Sequence, residues 1–208
     1  MIYKIEISSK IAEYLLEIQA IKLRPNNLFT WASGKKSPIY CDNRLTLSHT
    51  KLRNIIKGGF KNLVLELFPE TDLIVGVATA GIAHGALLAD TLDLPFAYIR
   101  AKPKGHGMQN LIEGEIKRGS KVIIVEDLIS TGGSSLKAVD AVRGVGAEVL
   151  SMFAIFTYGF DLSINNFKDK NCSLYTLSDF DSLIKFASDN KLYSDDELNF
   201  MLEWKSKM

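Results

Sequence analysis

Three runs in this chain, LIVGV (73–77), KVIIV (121–125) and SMFAIF (151–156), are apolar almost without a break. A strand with one face in water alternates apolar and polar residues. A strand without that alternation is buried on both faces, and such strands belong to parallel sheets covered on each side by helices. The intervening sequence supplies the covers. GIAHGALLADTL (81–92) and SSLKAVDAVRGVG (134–146) carry helical patterns, the second ending at glycine, and PFAYIR (95–100) reads as a further strand. Strand–helix–strand repetition implies right-handed crossovers and an α/β fold with a parallel-stranded sheet flanked by helices. Ligands of such sheets sit beyond the carboxyl ends of the strands. That points to Ala78–Gly81, Arg100–Gly107 and Glu126–Ser135.

The flanks read as packing. Ser8 or Ser9 can cap an N-terminal helix with Ile11, Tyr14, Leu15 and Ile18 on one face. Leu52, Ile55, Ile56, Leu63 and Leu67 form a second helical stripe that runs through Gly58 and Gly59. From about Cys172 the tail reads as one strand and two helices, the last starting at Ser194. Residues 1–208 form a single domain, with the core sheet over about 72–158.

The chain of 208 residues has a net charge of +1, which gives no electrostatic reason to expect nucleic acid or an acidic membrane. No apolar run is long enough to span a bilayer, and the N-terminal stretch is interrupted by Glu13 and Glu17, unlike a secretory signal. Two cysteines, Cys41 and Cys172, have no metal-like spacing and read as inert buried thiols in a cytoplasmic protein.

VIIVEDLISTGGSS (122–135) carries the chemistry. Glycines allow close approach to a ligand, and successive N–H groups at a helix start bind an anion, helped by the hydroxyls. Carboxylates accept hydrogen bonds that sugar hydroxyls donate. Glu126 and Asp127 therefore want a diol, and the loop that follows wants a phosphate. Neither GxxxxGK[ST] nor GxGxxG is present, so this is not a nucleoside triphosphate or dinucleotide loop.

This stretch resembles the phosphoribosyl-diphosphate site of the type I phosphoribosyltransferases. The resemblance implies that Glu126 and Asp127 hold the ribose hydroxyls, with Asp127 catalytic. It gives Ser130, Thr131, Gly132, Gly133 and Ser134 to the 5′-phosphate, and Ala78, Thr79, Ala80 and Gly81 to the diphosphate.

RAKPKGHGMQNLIEGE (100–115) places Arg100, Lys102, Lys104 and His106 on alternate positions, a cationic segment fit to neutralise a leaving diphosphate. R-x-K-x-K-x-H-G is similar to the flexible loop of the orotate phosphoribosyltransferases, and 101–115 is taken as that loop. By resemblance, Arg100, Lys102, Lys104 and His106 bind phosphoribosyl diphosphate (PRPP). Lys104 and His106 are then catalytic, acting on the neighbouring subunit's site in a homodimer. His106 can titrate near neutrality; His49 and His84 read as structural.

FTWASGKKSPIYCDNR (29–44) resembles the same family's substrate segment, which makes about 1–47 an N-terminal hood. Phe29, Ser33, Gly34, Lys36, Ser37, Tyr40 and, from the phosphate loop, Thr131 would bind orotate. Some members carry cations where this chain has Ala32, Ala80 and Tyr158. The expected reaction joins orotate to PRPP, giving orotidine 5′-monophosphate and diphosphate. Mg²⁺ would be held mainly by PRPP and water near Glu126 and Asp127, with no direct protein ligand. A purine phosphoribosyltransferase and a non-catalytic regulator are the rival readings.

Overall fold

The computed structural model describes residues 1–102 and 111–208. A six-stranded sheet runs through it in the order β10-β9-β8-β5-β6-β7. Its strands are β5 (Leu73–Val77), β6 (Phe96–Ile99), β7 (Ile112–Glu113), β8 (Lys121–Ile129), β9 (Glu148–Thr157) and β10 (Leu174–Asp179). All neighbours are parallel except β7, which pairs antiparallel with β6.

The unbroken apolar runs serve two cores. In β8, Ile123 and Val125 belong to one buried cluster and Val122 and Ile124 to the other. The first cluster takes in α1 (Ile5–Glu17), α2 (Thr50–Leu67), α3 (Ala80–Leu92), α6 (Phe180–Asp189) and α7 (Asp195–Ser206). The second is covered by α4 (Gly133–Gly144) and α5 (Asp161–Asp169). Completely buried Ile and Val on both sides of one strand contribute roughly 1.5–3 kcal/mol each, which holds the strand's carboxyl end in place.

Several expectations shift. The helix start placed at Ser8 or Ser9 lies further upstream, with Lys4 at the cap position. Residue Ile2 bridges to Thr176 at the sheet edge, so the chain turns into the helix at once. Ser8 ends up inside the helix, buried, with its hydroxyl donating to Ser182 Oγ at 2.7 Å. Leu67 is exposed and lies outside the apolar stripe of α2. The sheet extends beyond residue 158 to β10, and α1 shares one buried cluster with β1, β4 and the helices on that face of the sheet.

The short α5 was not foreseen; DLSINNFKD has few strong helix formers and is held by buried Ser163 and Phe167. Of the supposed loop 101–115, residues 112 and 113 form β7, and Arg100 N–H donates to Leu111 O at 2.8 Å, so its stems are fixed. Residues 103–110 lie outside the described part. By contrast, Ser194 makes the expected helix start, a full capping box with Glu197.

The N-terminal remainder is small. β1 (Ile21–Leu23) pairs with β4 (Ile39–Cys41), and β2 (Phe29–Thr30) with β3 (Lys36–Ser37), the latter around Gly34 at φ 83°. A 3₁₀ turn, Asn43–Ser48, leads into α2.

Candidate active site

β8 continues past both acids: Glu126 pairs with Ala154 and Ile129 with Thr157 of the ten-residue β9. The acids therefore sit on regular strand rather than at its end, and their backbone is fixed by the sheet. Glu126 leans toward α4. Its Oε2 accepts from Ser135 Oγ at 3.1 Å and its Oε1 from the Asp127 N–H at 3.0 Å. Burial pushes the Glu126 carboxyl up to about 9, and the neighbouring Asp127 charge adds to the effect. Burial likewise raises Asp127. Two desolvated carboxyls side by side resist ionisation and favour a ligand that donates hydrogen bonds to them.

Beyond β8, the chain passes Ser130 and Thr131 and enters α4 through Gly132 in the left-handed region, φ 80°. Any Cβ there would also meet the Phe167 ring at 2.7 Å. The unforeseen α5 thus underlies this loop, and its Asn166 Nδ2 donates to Thr131 O at 2.9 Å. On the neighbouring strand, Ala78 N–H donates to Ile99 O at 2.8 Å, the Ala78–Thr79 peptide is cis, and α3 begins at Ala80. A Cβ on Gly81 would run into the Val125 carbonyl oxygen, so glycine lets this helix start lie directly against β8. Between the two loops is a cavity of about 360 Å³ lined by Asp42, Arg44, Thr79, Glu126, Asp127 and Ser134 among others.

Next to it lies an apolar slot of about 250 Å³, lined by Trp31, Tyr40, Cys41, Leu128, Ser130 and Tyr158. Cys41 borders both spaces. The Trp31 and Tyr158 rings lie 5.3 Å apart, and Tyr158 stacks on Phe160 at 5.2 Å. Burial pushes the Tyr158 phenol well up, so it stays neutral. A flat aromatic ligand fits such walls.

Not every residue singled out from the sequence lines these two spaces. Phe29 tilts against Tyr40, ring centroids 5.6 Å apart, and sits behind it. Ser37 is buried, its hydroxyl donating to Ile39 O at 2.8 Å and accepting from Ile39 N–H at 3.1 Å, so it shapes the β3–β4 corner. Lys36 Nζ donates to Thr30 Oγ1 across the hairpin; Ser33 and Gly34 are exposed at its tip. Ser130 faces the apolar slot. Arg100 pairs with Glu113 at 3.1 Å and borders a smaller space of about 150 Å³ with Glu126, Ser134 and Lys137. Lys102 is exposed. Lys104 and His106 lie outside the described residues.

The structure adds contacts that the sequence did not single out, one of them to His84, which reads as structural. Asn43 Nδ2 donates to the Asp127 carbonyl at 2.7 Å. Thr46 Oγ1 donates to Asn43 O and lies 3.1 Å from His84 Nε2. The single Thr46 proton is thereby used, so His84 donates from Nε2. All three side chains are buried. His84 is pushed down to about 4, first by burial and then by Arg53, and is a neutral strut. Trp204 of α7 meets Trp31 edge-on at 5.7 Å, and its Nε1 donates to Lys36 O at 3.1 Å. No spacing in the sequence marks these contacts, which join segments far apart in the chain. The two thiols are free, and burial pushes both up, Cys172 to about 11.

Residues 47–189 match the family model described as the phosphoribosyl transferase domain. An orotate phosphoribosyltransferase of Cytophaga hutchinsonii is 53% identical over 198 residues, 95% of either chain. Among solved structures, the orotate phosphoribosyltransferase of Aeropyrum pernix shares the fold with a TM-score of 0.75 at 24% identity, over 88% of this chain and 99% of that one. The Mycobacterium tuberculosis enzyme in complex with PRPP shares it with a TM-score of 0.65 at 20% identity, over 84% and 97%. With two carboxylates on β8, a glycine-led helix start behind them and a relative matching at this level over 95% of the chain, the chain belongs to the orotate phosphoribosyltransferase family.

Proposed function

We propose that the protein transfers the 5-phosphoribosyl group of PRPP to orotate, releasing diphosphate and forming orotidine 5′-monophosphate, a step of pyrimidine nucleotide synthesis. The observation that carries the reading is the junction of the acid-lined cavity and the aromatic slot at Cys41 and Leu128. A ribose held by Glu126 and Asp127 presents its C1 toward a base in the slot. In the reaction the C1–O bond to diphosphate breaks, the bond from orotate N1 to C1 forms, and the N1 proton passes to solvent. Charge develops on the leaving diphosphate, so catalysis is mainly electrostatic.

Asp127, aided by Glu126, orients the ribose; Ser130–Ser134 and the start of α4 take the 5′-phosphate; Ala78–Gly81 take the diphosphate. Trp31, Tyr40 and Tyr158 are the walls for the base. Glu126 spends its oxygens on Ser135 and on backbone. That donor set fits Mg²⁺ carried by PRPP oxygens and water near Asp127 rather than by a protein cage. Bound there, Mg²⁺ offsets diphosphate charge. Lys104 and His106 are assigned to the same task from the partner subunit of a homodimer in the cytoplasm. Among the described residues, no helix is long and apolar enough to cross a membrane.

The test is orotate consumption with PRPP and Mg²⁺, run beside adenine, guanine, hypoxanthine and uracil. Turnover with orotate alone is expected; a preference for a purine would overturn the reading.

A further inference from the structure

The donor cavity is rich in acids. Asp42, Glu126 and Asp127 all line it, yet the ligand proposed for it is a polyanion. Among the described residues, Arg44 is the one cation that lines it. It sits one turn past β4, at the start of the 3₁₀ turn, where Asp42 Oδ1 accepts from the Arg44 backbone N–H at 3.3 Å. The same carboxylate grips the guanidinium twice, from Nε at 2.6 Å and from Nη2 at 2.8 Å. A doubly bonded guanidinium is fixed in plane as well as in place. Two of its five N–H donors are used, and three remain for a ligand. The Arg44 side chain is still 64% exposed, and it acts electrostatically on Asp127. Exposure, immobilisation and leftover donors together describe an anion-binding group rather than a stability element. A surface pair of this kind adds little to folding.

We propose that Arg44, oriented by Asp42, is a donor-binding residue that contacts the diphosphate or 5′-phosphate oxygens of PRPP beside Thr79 and Ala80. The neighbouring apolar slot has no Arg44 in its lining, which separates this role from recognition of the orotate carboxylate. Asp42 is then a positioning residue: it aims the guanidinium and touches no substrate. The inference rests on the proposed reaction for the identity of the anion.

The experiment compares wild type, Arg44→Ala, Arg44→Lys and Asp42→Asn. Each is assayed with PRPP and orotate varied separately, and each is titrated calorimetrically with PRPP and Mg²⁺ in the absence of orotate. Loss of charge-assisted hydrogen bonds should raise the donor KM and Kd of Arg44→Ala by about tenfold to a hundredfold. The orotate KM should stay within about twofold. Arg44→Lys should regain part of the affinity, and Asp42→Asn should fall between wild type and Arg44→Ala. An unchanged donor Kd overturns the proposal, as does a rise confined to the orotate KM. A wild-type protein that fails to use orotate would sink the proposed reaction, and the calorimetric titration would still decide the role of Arg44.

Discussion

Glu126 should weaken the fold at the pH where it serves the site. The residue is 7% exposed, and its carboxyl is pushed up from 4.5 to about 9, first by burial and then by Asp127. The folded chain therefore keeps a proton that the unfolded chain has lost anywhere between these values. Unfolding releases that proton, so this group's contribution to stability falls as pH rises through the window and is unimpaired below pH 4.5. Each pH unit changes the balance by about 1.36 kcal/mol for one full proton. From pH 5 to pH 8 the ceiling is about 4 kcal/mol, and sharing of the proton with Asp127 lowers it toward about 2 kcal/mol.

Glu126→Gln removes the titration and keeps the hydrogen bonds, because its amide can accept from the Asp127 N–H and donate to Ser135 Oγ. The variant should match wild type at pH 5 and exceed it by about 2–4 kcal/mol at pH 8. In a chain of this length that is a rise of about 4–15 °C in Tm. Urea or thermal unfolding at several pH values gives the answer, and the difference between the two proteins cancels the other titrating groups. A difference that stays flat from pH 5 to pH 8 would refute the burial argument. The stability should come with lost turnover, since the amide cannot ionise to give the ribose hydroxyls the stronger acceptor that a carboxylate is.

Asp127→Asn should lower kcat/KM by about a hundredfold or more with no loss of Tm; wild-type kinetics would remove Asp127 from the ribose site. Mixed dimers pairing a Lys104→Ala subunit with an Asp127→Asn subunit should recover part of the activity both parents lack. Confirmed mixed dimers without recovery would rule out a loop shared across subunits. Trp204→Ala should raise the orotate KM several-fold through the hairpin it supports, and stability should drop by about 2–4 kcal/mol. An orotate KM that does not move would detach α7 from the base slot.

The acid-lined cavity was legible as geometry because its determinants are local. The strand KVIIV, its two acids and the glycines that open α4 lie within fifteen residues or so, and each local preference agrees with the next. Even there the strand's end was misplaced, since the extra pairs depend on how far β9 reaches. The base half was legible only as a resemblance. Tyr40 lines the slot, but Phe29 and Ser37 support it from behind, and nothing in their residue types distinguishes those roles. His84 reads as structural and is so, but its partners, like Asn43 and Thr46, were opaque for another reason. Each is a lone polar residue, and its use is defined by partners on other segments. The same holds for α5, which exists because Phe167 has a place beneath Gly132 rather than because its nine residues favour a helix.

The contact between Trp204 and the β2–β3 hairpin has a consequence for synthesis. The Lys36 carbonyl and the indole that caps it are 168 positions apart in the chain. A ribosome adds about 5–20 residues per second, so the hairpin emerges roughly 10–30 s before its buttress exists. The central sheet can assemble in that interval. The aromatic slot stays without one support, because Trp31 lacks its edge-on neighbour until α7 has left the exit tunnel. A nascent chain paused before α7 should therefore have a formed acid-lined cavity and an unbuttressed aromatic slot. The order in which the two halves become competent is written into the position of one tryptophan.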